Sequence, residues 1–259
     1  LSGVFTVAAD EQGNPTKKVQ FSKGNLWYGK VGDASEATFN FEANQYDTTP
    51  LSDGARVENH ISHFLWCDNA DNAIALKYNN GWNGSDKSFF AAKNFTVNGY
   101  SGWGVLTGGA NGEWAYLLNT RKTIYGKDTD VENRRYAAVK VNDIGGLLIF
   151  PDEFSWPTAA GTEPATFNAT ESDWNGVNYK SAAFEALQSA GCVFLPAAGY
   201  RRGSNGETVI SPVYGYYWSA YTDNYIHAFG LSFYLKFFNS NDNRERSDAY
   251  AVRLVTDVK

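Results

Sequence analysis

The stretch Tyr214–Val255, which reads YGYYWSAYTDNYIHAFGLSFYLKFFNSNDNRERSDAYAVRLV, combines a regular apolar pattern with many polar and tyrosine residues. The apolar positions predict a fixed frame, made of Trp218-Ser219-Ala220, Ala228, Phe229, Leu231, Phe233, Leu235 and Val252-Arg253-Leu254-Val255. Between them lie Tyr, Asn, Asp and Ser, which binding loops favour because they supply contact area and adaptable hydrogen bonds at low entropic cost. The stretch therefore predicts a ligand-binding surface carried by a rigid frame.

The candidate ligand-binding residues are polar and aromatic positions of this stretch. They are Tyr216, Tyr221, Asp223, Asn224, Tyr225, His227, Tyr234, Phe238, Asn239, Asn241, Asn243, Ser247, Asp248 and Tyr250. A tyrosine pairs an apolar ring with a polar tip, so it suits a contact surface as well as a core. The sequence predicts exposure for four of these tyrosines, Tyr221, Tyr225, Tyr234 and Tyr250.

Residues 229–236 alternate between apolar and other side chains, which predicts a strand with two different faces. One face is expected to hold the core, and it carries Phe229, Leu231, Phe233 and Leu235. The other face is expected to vary freely, and it carries Gly230, Ser232, Tyr234 and Lys236. Residues 239–248 contain no apolar side chain and predict a solvated loop.

Length and composition restrict the possible classes of function. The 259 residues show no repeat, charge block or linker, which favours a single domain over residues 1–259. A net charge of −6 and a pI of about 5.1 argue against a nucleic-acid partner. No apolar run reaches the roughly 18–20 residues of a transmembrane segment. The 16% of aromatic residues suits a sheet-rich protein or a contact surface.

The rest of the chain predicts an α+β domain. Strands are expected at residues 19–21, 25–28, 38–41, 135–141, 147–150 and 192–195. A first helix is expected after the cap at residues 111–113, and a second over about 181–190, where Gly191 would stop it. Residues 48–110 predict long ordered loops held by Trp66, Trp82 and Trp103.

Several segments resemble the C-type-lectin-like variable proteins of diversity-generating retroelements, a group that includes secreted proteins of gut bacteria. The segments are residues 21–28 (FSKGNLWY), 117–121 (LLNTR), 146–154 (GLLIFPDEF), 194–201 (FLPAAGYR), 217–220 (YWSA), 228–233 (AFGLSF) and 246–255 (RSDAYAVRLV). The phage major tropism determinant and the formylglycine-generating enzymes are more distant relatives by fold. One departure is Ala249, which stands where the family usually carries Gly.

The resemblance implies a C-type-lectin-like fold of antiparallel strands, two main helices and long ordered loops. It implies a receptor- or ligand-binding protein whose C-terminal surface is varied by adenine-directed miscopying of a template. Such copying does not create Trp, Lys, Glu, Gln or Met, so Trp218, Lys236 and Glu245 would be fixed positions. It also implies a protein or glycan ligand on a cell surface. The expected setting is secretion, a bacterial outer surface with a lipid anchor as one option, or a phage particle.

Two alternatives stay open: an invariant adhesin or glycan-binding module of the same fold, and a sulfatase-modifying-type or carbohydrate-active enzyme. For catalysis, Asp152 and Glu153 are neighbours that would point to opposite faces of a strand. For a metal, His60, His63 and Cys67 have zinc-like spacing but no strong helical pattern around them. Cys192 lies in an apolar run and predicts a buried thiol. The chain is therefore expected to be a binding protein without a metal, a cofactor or a catalytic residue.

Overall fold

The computed structural model describes residues 1–48, 60–75, 87–91, 95–128, 130–170, 174–202, 208–209, 213–224 and 226–259. This part of the chain is rich in antiparallel strands and has few helices, in agreement with the expected α+β class. The strands are β1 (Phe5–Ala9), β2 (Pro15–Phe21), β3 (Leu26–Gly29), β4 (Thr38–Phe41), β5 (His60–Ile61), β6 (Phe64–Leu65), β7 (Phe95–Val97), β8 (Tyr100–Trp103), β9 (Tyr136–Val141), β10 (Ile144–Ile149), β11 (Asn178–Tyr179), β12 (Val193–Pro196), β13 (Tyr200–Arg201), β14 (Thr208–Val209), β15 (Tyr214–Thr222), β16 (His227–Tyr234), β17 (Phe237–Glu245), β18 (Ala249–Tyr250) and β19 (Val255–Asp257).

Both predicted helices are present. Helix α2 (Glu113–Ala115) continues as a π-helical turn over Tyr116–Thr120, and α3 (Ser181–Ser189) ends before Gly191, whose φ is 91°. A short α1 (Ala70–Ala73) and the 3-10 turns Phe89–Ala91, Thr158–Ala160 and Trp174–Gly176 complete the helical segments of the described residues. None of the helices in these residues is long and apolar enough to cross a bilayer.

A four-stranded sheet in the order β11-β9-β10-β12 lies between two core clusters. Successive residues of a strand point to opposite faces, so Leu147 and Leu195 enter one cluster while Leu148 and Phe194 enter the other. Helix α3 covers the second cluster with its buried apolar side chains. Because both faces are covered, β10 and β12 carry apolar residues at successive positions over 147–149 and 193–195, and the sequence predicted these two strands together with β9. It did not predict β11, which consists of Asn178 and Tyr179.

The C-terminal stretch forms a three-stranded antiparallel sheet in the order β15-β16-β17. Its first face places Tyr217, Leu231 and Phe233 in the same core cluster as Leu147. Its second face places Trp218 in another cluster, together with Phe64 and Trp66 of the first third of the chain. Most of the predicted frame of the stretch is therefore buried, but on both faces of the sheet.

Two parts of the prediction for this stretch are wrong. Residues 239–248 were expected to be a loop, but residues up to Glu245 belong to strand β17, which pairs with β16 along its length. Main-chain pairing with β16 outweighs the low strand propensity of Asn and Asp. Leu235 was expected to extend the apolar face, but it lies in the turn between β16 and β17 with a φ of 39° and is 38% exposed.

A buried polar network joins segments that are far apart in the sequence. Arg253 is 1% exposed and donates hydrogen bonds to Asn25 Oδ1 (2.9 Å), to the Ser22 carbonyl oxygen (3.2 Å) and to the Phe194 carbonyl oxygen (2.7 Å). Asn25 donates in turn to the Tyr217 hydroxyl at 3.1 Å. Burial lowers the pKa of Arg253 to about 10, so this guanidinium stays charged at neutral pH. The network ties the last strands of the chain to its first.

Candidate functional site

An exposed polar cluster lies where β15 turns into β16; we call it the hairpin tip and define it as Tyr221, Asp223, Asn224, His227 and Asn243. The first three of these residues and Asn243 are exposed, and His227 is half-buried. Asn243 Nδ2 donates to Asp223 Oδ2 at 2.6 Å, and Asn224 Oδ1 accepts from the main-chain amide of His227 at 2.9 Å. These bonds hold the polar groups in place at the surface. Tyr225 lies outside the described residues.

A continuous row of rings leads from the core to the surface of the same sheet. Its members, in order, are Trp218, Tyr250, Tyr216, Tyr214, Tyr234 and Phe237, and we call this set the aromatic row. Consecutive ring centroids are 4.2, 5.0, 6.2, 5.2 and 4.6 Å apart. Trp218 is 2% exposed at the inner end, whereas Tyr214, Tyr234 and Phe237 are half-buried at the outer end. The buried rings at the inner end of the row therefore fix the orientation of the half-buried rings at its outer end.

Two candidate residues belong to the buried part of this row. Tyr250 was expected to be exposed, but it is 3% exposed, because it lies in β18, which pairs with β6 against the sheet. Tyr216 is 8% exposed and packs on the Tyr250 ring. Burial is the main cause that raises the pKa of both hydroxyls, that of Tyr216 to about 12. These two tyrosines support the surface from below.

The expected division of β16 into one core face and one free face is also wrong. Ser232 is fully buried, and Gly230 is buried as well, although both were placed on the free face. Phe229, expected in the core, is only half-buried, whereas Phe233 is fully buried as predicted. The physical reason is that β16 is the middle strand of the sheet and is covered on both sides. The exposed candidate positions therefore collect at the hairpin tip, and half-buried candidates lie along the edge strand β17.

Strand β17 carries several candidate residues along the edge of the sheet. Asn239 and Asn241 are half-buried, and Phe238 stacks on Tyr136 of the core sheet at a centroid distance of 4.9 Å. The main-chain amide of Asn241 donates to Asn239 Oδ1 at 2.9 Å, and that of Asn243 donates to a carboxylate oxygen of Asp242 at 3.1 Å. Side chains of the strand thus satisfy two of its own main-chain donors.

The remaining candidates, Ser247 and Asp248, lie in the turn between β17 and β18 and are half-buried. Ser247 Oγ donates to a carboxylate oxygen of Glu245 at 3.2 Å, and the Tyr250 hydroxyl donates to Asp248 at 3.3 Å. These contacts stabilise the turn itself. It lies close to the hairpin tip, since Arg246 donates its main-chain amide to the Ile226 carbonyl at 2.8 Å.

Sequence reasoning missed residues that complete this surface, namely Tyr200, Phe237, Asp242 and Arg244. Arg244 Nε donates to Asp242 Oδ2 at 2.5 Å, and its guanidinium lies 5.0 Å from the centroid of the Tyr216 ring. The interpretation of residues 239–248 as a loop hides that Asp242 and Arg244 belong to one strand and share a face of it. Tyr214 and Tyr234 lie opposite each other on β15 and β16. Alternation along these two strands was the sequence signal that could have predicted this pair.

The residues weighed as metal ligands have separate partners. His60 stacks on Trp27 with ring centroids 4.2 Å apart, and its Nε2 lies 2.7 Å from Glu42 Oε1. His63 Nε2 donates to the Ala198 carbonyl oxygen at 3.1 Å. Cys67 and Cys192 are free, buried thiols, as predicted for Cys192. Within the described ranges, no group of three or more His, Cys, Asp or Glu is arranged to hold a metal ion.

The carboxylates weighed for glycoside hydrolysis do not converge. Asp152 accepts hydrogen bonds from Thr6, through its amide at 2.9 Å and its hydroxyl at 2.6 Å, and from Arg121 Nη1 at 2.9 Å. Arg121 is fully buried, and burial is the main cause that lowers its pKa, to about 10. Glu153 is exposed to solvent. Asp152 therefore serves as the counter-charge of a buried arginine.

We expect the protein to lose stability in mild acid through His63. Burial, and secondarily the positive charge of Arg201, lowers the pKa of His63 from 6.5 to about 4. Between these two pH values the unfolded chain binds a proton that the folded chain does not, so stability falls as the pH falls. Lowering the pH from 7 to 4.5 should remove about 2–3 kcal/mol of unfolding free energy through this residue.

Urea unfolding of the wild type and of His63→Gln at both pH values tests this expectation. The amide of Gln can still donate to the Ala198 carbonyl but does not titrate, so the variant should lose less stability than the wild type in acid. Equal losses in the two proteins would show that His63 does not contribute to the acid sensitivity.

Comparison of the chain with protein-family models, with curated proteins and with solved structures found no match.

Proposed function

We propose that this chain is a ligand-binding protein with a C-type-lectin-like fold, and that the hairpin tip and the edge strand β17 contact the ligand. The observation that carries the proposal is the exposure of Tyr221, Asp223, Asn224 and Asn243, with Asn239 half-buried on the same sheet. Other side chains of this sheet, such as Tyr217 and Trp218, lie in two core clusters and hold it in place. Tyrosine gives area with few rotatable bonds, and Asn and Asp give directional hydrogen bonds. In this proposal the protein binds its ligand and does not transform it.

The buried polar network supports the proposed relationship to the retroelement-varied family. The segments that carry the resemblance meet there, through Asn25, Phe194, Tyr217 and Arg253. Residues that a family shares are expected in a buried network of this kind if they maintain a common backbone. The resemblance therefore rests on residues that hold the molecule together, and the candidate contact positions lie outside this network.

The positions proposed to vary are suited to variation. Asn243 and Tyr221 are exposed, and surface substitutions usually change stability by less than about 0.5 kcal/mol. Trp218, which template miscopying does not produce, is buried and donates from its indole to the Phe64 carbonyl oxygen at 2.7 Å. A cell-surface protein or glycan is the proposed ligand class, and a bacterial surface or a phage particle is the proposed setting.

A binding screen tests the proposed surface. Wild type and Tyr221→Ala are applied to arrays of glycans and of bacterial surface proteins, with Tyr100→Ala as the matched control. Tyr100 is 75% exposed but lies in β8, outside the proposed surface. We expect at least one ligand whose binding weakens about fivefold or more in Tyr221→Ala, because an anchoring aromatic typically contributes more than about 1 kcal/mol. Tyr100→Ala should bind like the wild type.

If both variants bind the ligand equally well, the proposed surface is wrong. The DNA around the gene tests the diversification separately. A near-copy of the last stretch of codons, rich in Asn codons and next to a reverse-transcriptase gene, is the expected finding. If that copy and that gene are both missing while Tyr221→Ala still weakens binding, the protein is an invariant adhesin.

A further inference from the structure

We propose that the outer end of the aromatic row, together with Asn239 and Arg244, is a subsite for a neutral pyranose sugar. This inference rests on the proposed function and gives its ligand a chemical class. We call the set Tyr214, Tyr234, Phe237, Asn239 and Arg244 the platform. All of its members are half-buried, so each is partly accessible and partly held by neighbours.

The rings of the platform form two differently oriented apolar surfaces. Tyr234 and Phe237 are stacked, with an interplanar angle of 17° and centroids 4.6 Å apart. Tyr214 meets Tyr234 edge-on at 70° and 5.2 Å. The buried rings of Tyr216 and Tyr250 fix this arrangement from below, so a ligand would order little on binding. Pyranose rings expose C–H groups on one face, and flat aromatic rings accommodate such a face.

The polar rim of the platform carries free hydrogen-bond donors. Arg244 uses its Nε to bond Asp242, and the described residues provide no hydrogen-bond acceptor for its two terminal amino groups. The guanidinium is also held over the Tyr216 ring, at 5.0 Å from the centroid. A planar guanidinium presents paired donors in fixed geometry, which suits two neighbouring oxygen atoms. Adjacent hydroxyl groups of a sugar provide such a pair.

A buried hydroxyl under the platform lacks a partner. Ser232 is fully buried, and its Oγ has no hydrogen-bond partner among the described residues. In the sheet Ser232 lies between Tyr216 on β15 and Asn239 on β17. Buried polar groups without partners are rare and indicate an interaction that is completed by another molecule or by rearrangement. Because Ser232 is fully buried, a ligand hydroxyl would complete it only if the neighbouring side chains of Asn239 and Arg244 moved apart.

The charge of the site favours a neutral ligand. Asp242 neutralises Arg244, and its other carboxylate oxygen is 3.4 Å from Asn239 Nδ2. The whole chain carries a net charge of −6, which repels a polyanion. Hydroxyl groups can both donate and accept, so a sugar fits a rim that contains amide, guanidinium and carboxylate groups side by side.

Saturation-transfer NMR and calorimetry test the subsite on the full chain. The probes are the methyl pyranosides of glucose, galactose, mannose and N-acetylglucosamine, with methyl glucuronide as the anionic comparison. We expect at least one neutral glycoside to bind, and Tyr234→Ala and Asn239→Ala each to weaken it about tenfold or more. Tyr100→Ala, which removes an exposed ring outside the proposed surface, should leave this binding unchanged. Circular dichroism and thermal unfolding establish that each variant is folded.

The outcomes separate this inference from the proposed function. If no neutral glycoside binds, or if folded Tyr234→Ala and Asn239→Ala bind it like the wild type, the sugar subsite is wrong. If at the same time Tyr221→Ala weakens binding of a protein on the array, the proposed function stands with a protein ligand. Preference for methyl glucuronide over every neutral glycoside would also overturn the neutral-sugar assignment.

Discussion

Arg253→Met is expected to lower the free energy of unfolding by about 3–5 kcal/mol. The arginine is 1% exposed and donates to Asn25, Ser22 and Phe194, and Met can fill much of the space but donates nothing. Each buried acceptor left without its donor costs about 1–3 kcal/mol. The substitution also removes the cost of burying a charge, which offsets part of this loss. The expected loss of unfolding free energy is therefore smaller than the summed cost of the separate unpaired acceptors.

Urea denaturation of the wild type, Arg253→Met and Lys127→Met checks this result. Lys127 is exposed, so its replacement removes a charge of the same sign without removing the network. We expect Lys127→Met to stay within about 0.5 kcal/mol of the wild type. A loss of less than about 1 kcal/mol in Arg253→Met would mean that the network does not hold the ends of the chain together.

Asp152→Ala is expected to be similarly destabilising, by about 3–5 kcal/mol, because it leaves the buried Arg121 without its counter-charge. Thr6 would lose the acceptor of its amide and of its hydroxyl at the same time. In a chain of this size such a loss lowers the melting temperature by roughly 10 °C. Thermal unfolding followed by circular dichroism measures it.

Glu153→Ala provides the control, since this neighbour is exposed and should melt within about 2 °C of the wild type. A third variant, Asp152→Asn, tests the enzyme alternative. Suppose that the wild type cleaves a glycoside or modifies a sulfatase peptide. If that activity disappears in an Asp152→Asn variant that is still folded, the structural role assigned to Asp152 is incomplete.

The sequence predicted the buried sheet and both main helices because these elements have strong local patterns. Residues 147–150 are a continuous apolar run, and residues 181–190 combine an apolar stripe with a Gly stop. Strand β17 was missed because its side chains are polar and only its pairing with β16 makes it a strand. Polar edge strands carry no apolar alternation, so their existence depends on a partner that is not visible locally.

The candidate site was predicted in part for the same reason. The exposed hairpin-tip residues were identified, since Asp and Asn between two strands indicate a turn. The burial of Tyr250 could not be predicted, because β18 pairs with β6, which lies nearly two hundred residues earlier. Arg244 was overlooked because residues 239–248 were interpreted as a loop and because Tyr216, over whose ring it lies, is brought to it only by the register of three strands.

Two main-chain amides of strand β17 donate to side chains of the same strand, and this affects how substitutions there change self-association. An open strand at the border of a sheet is a template on which other chains assemble, and proteins suppress this by occupying or twisting such borders. Asn239 and Asp242 occupy two of the donors here. Replacing either residue would leave a main-chain donor of this border without its partner, so we expect such variants to self-associate more readily.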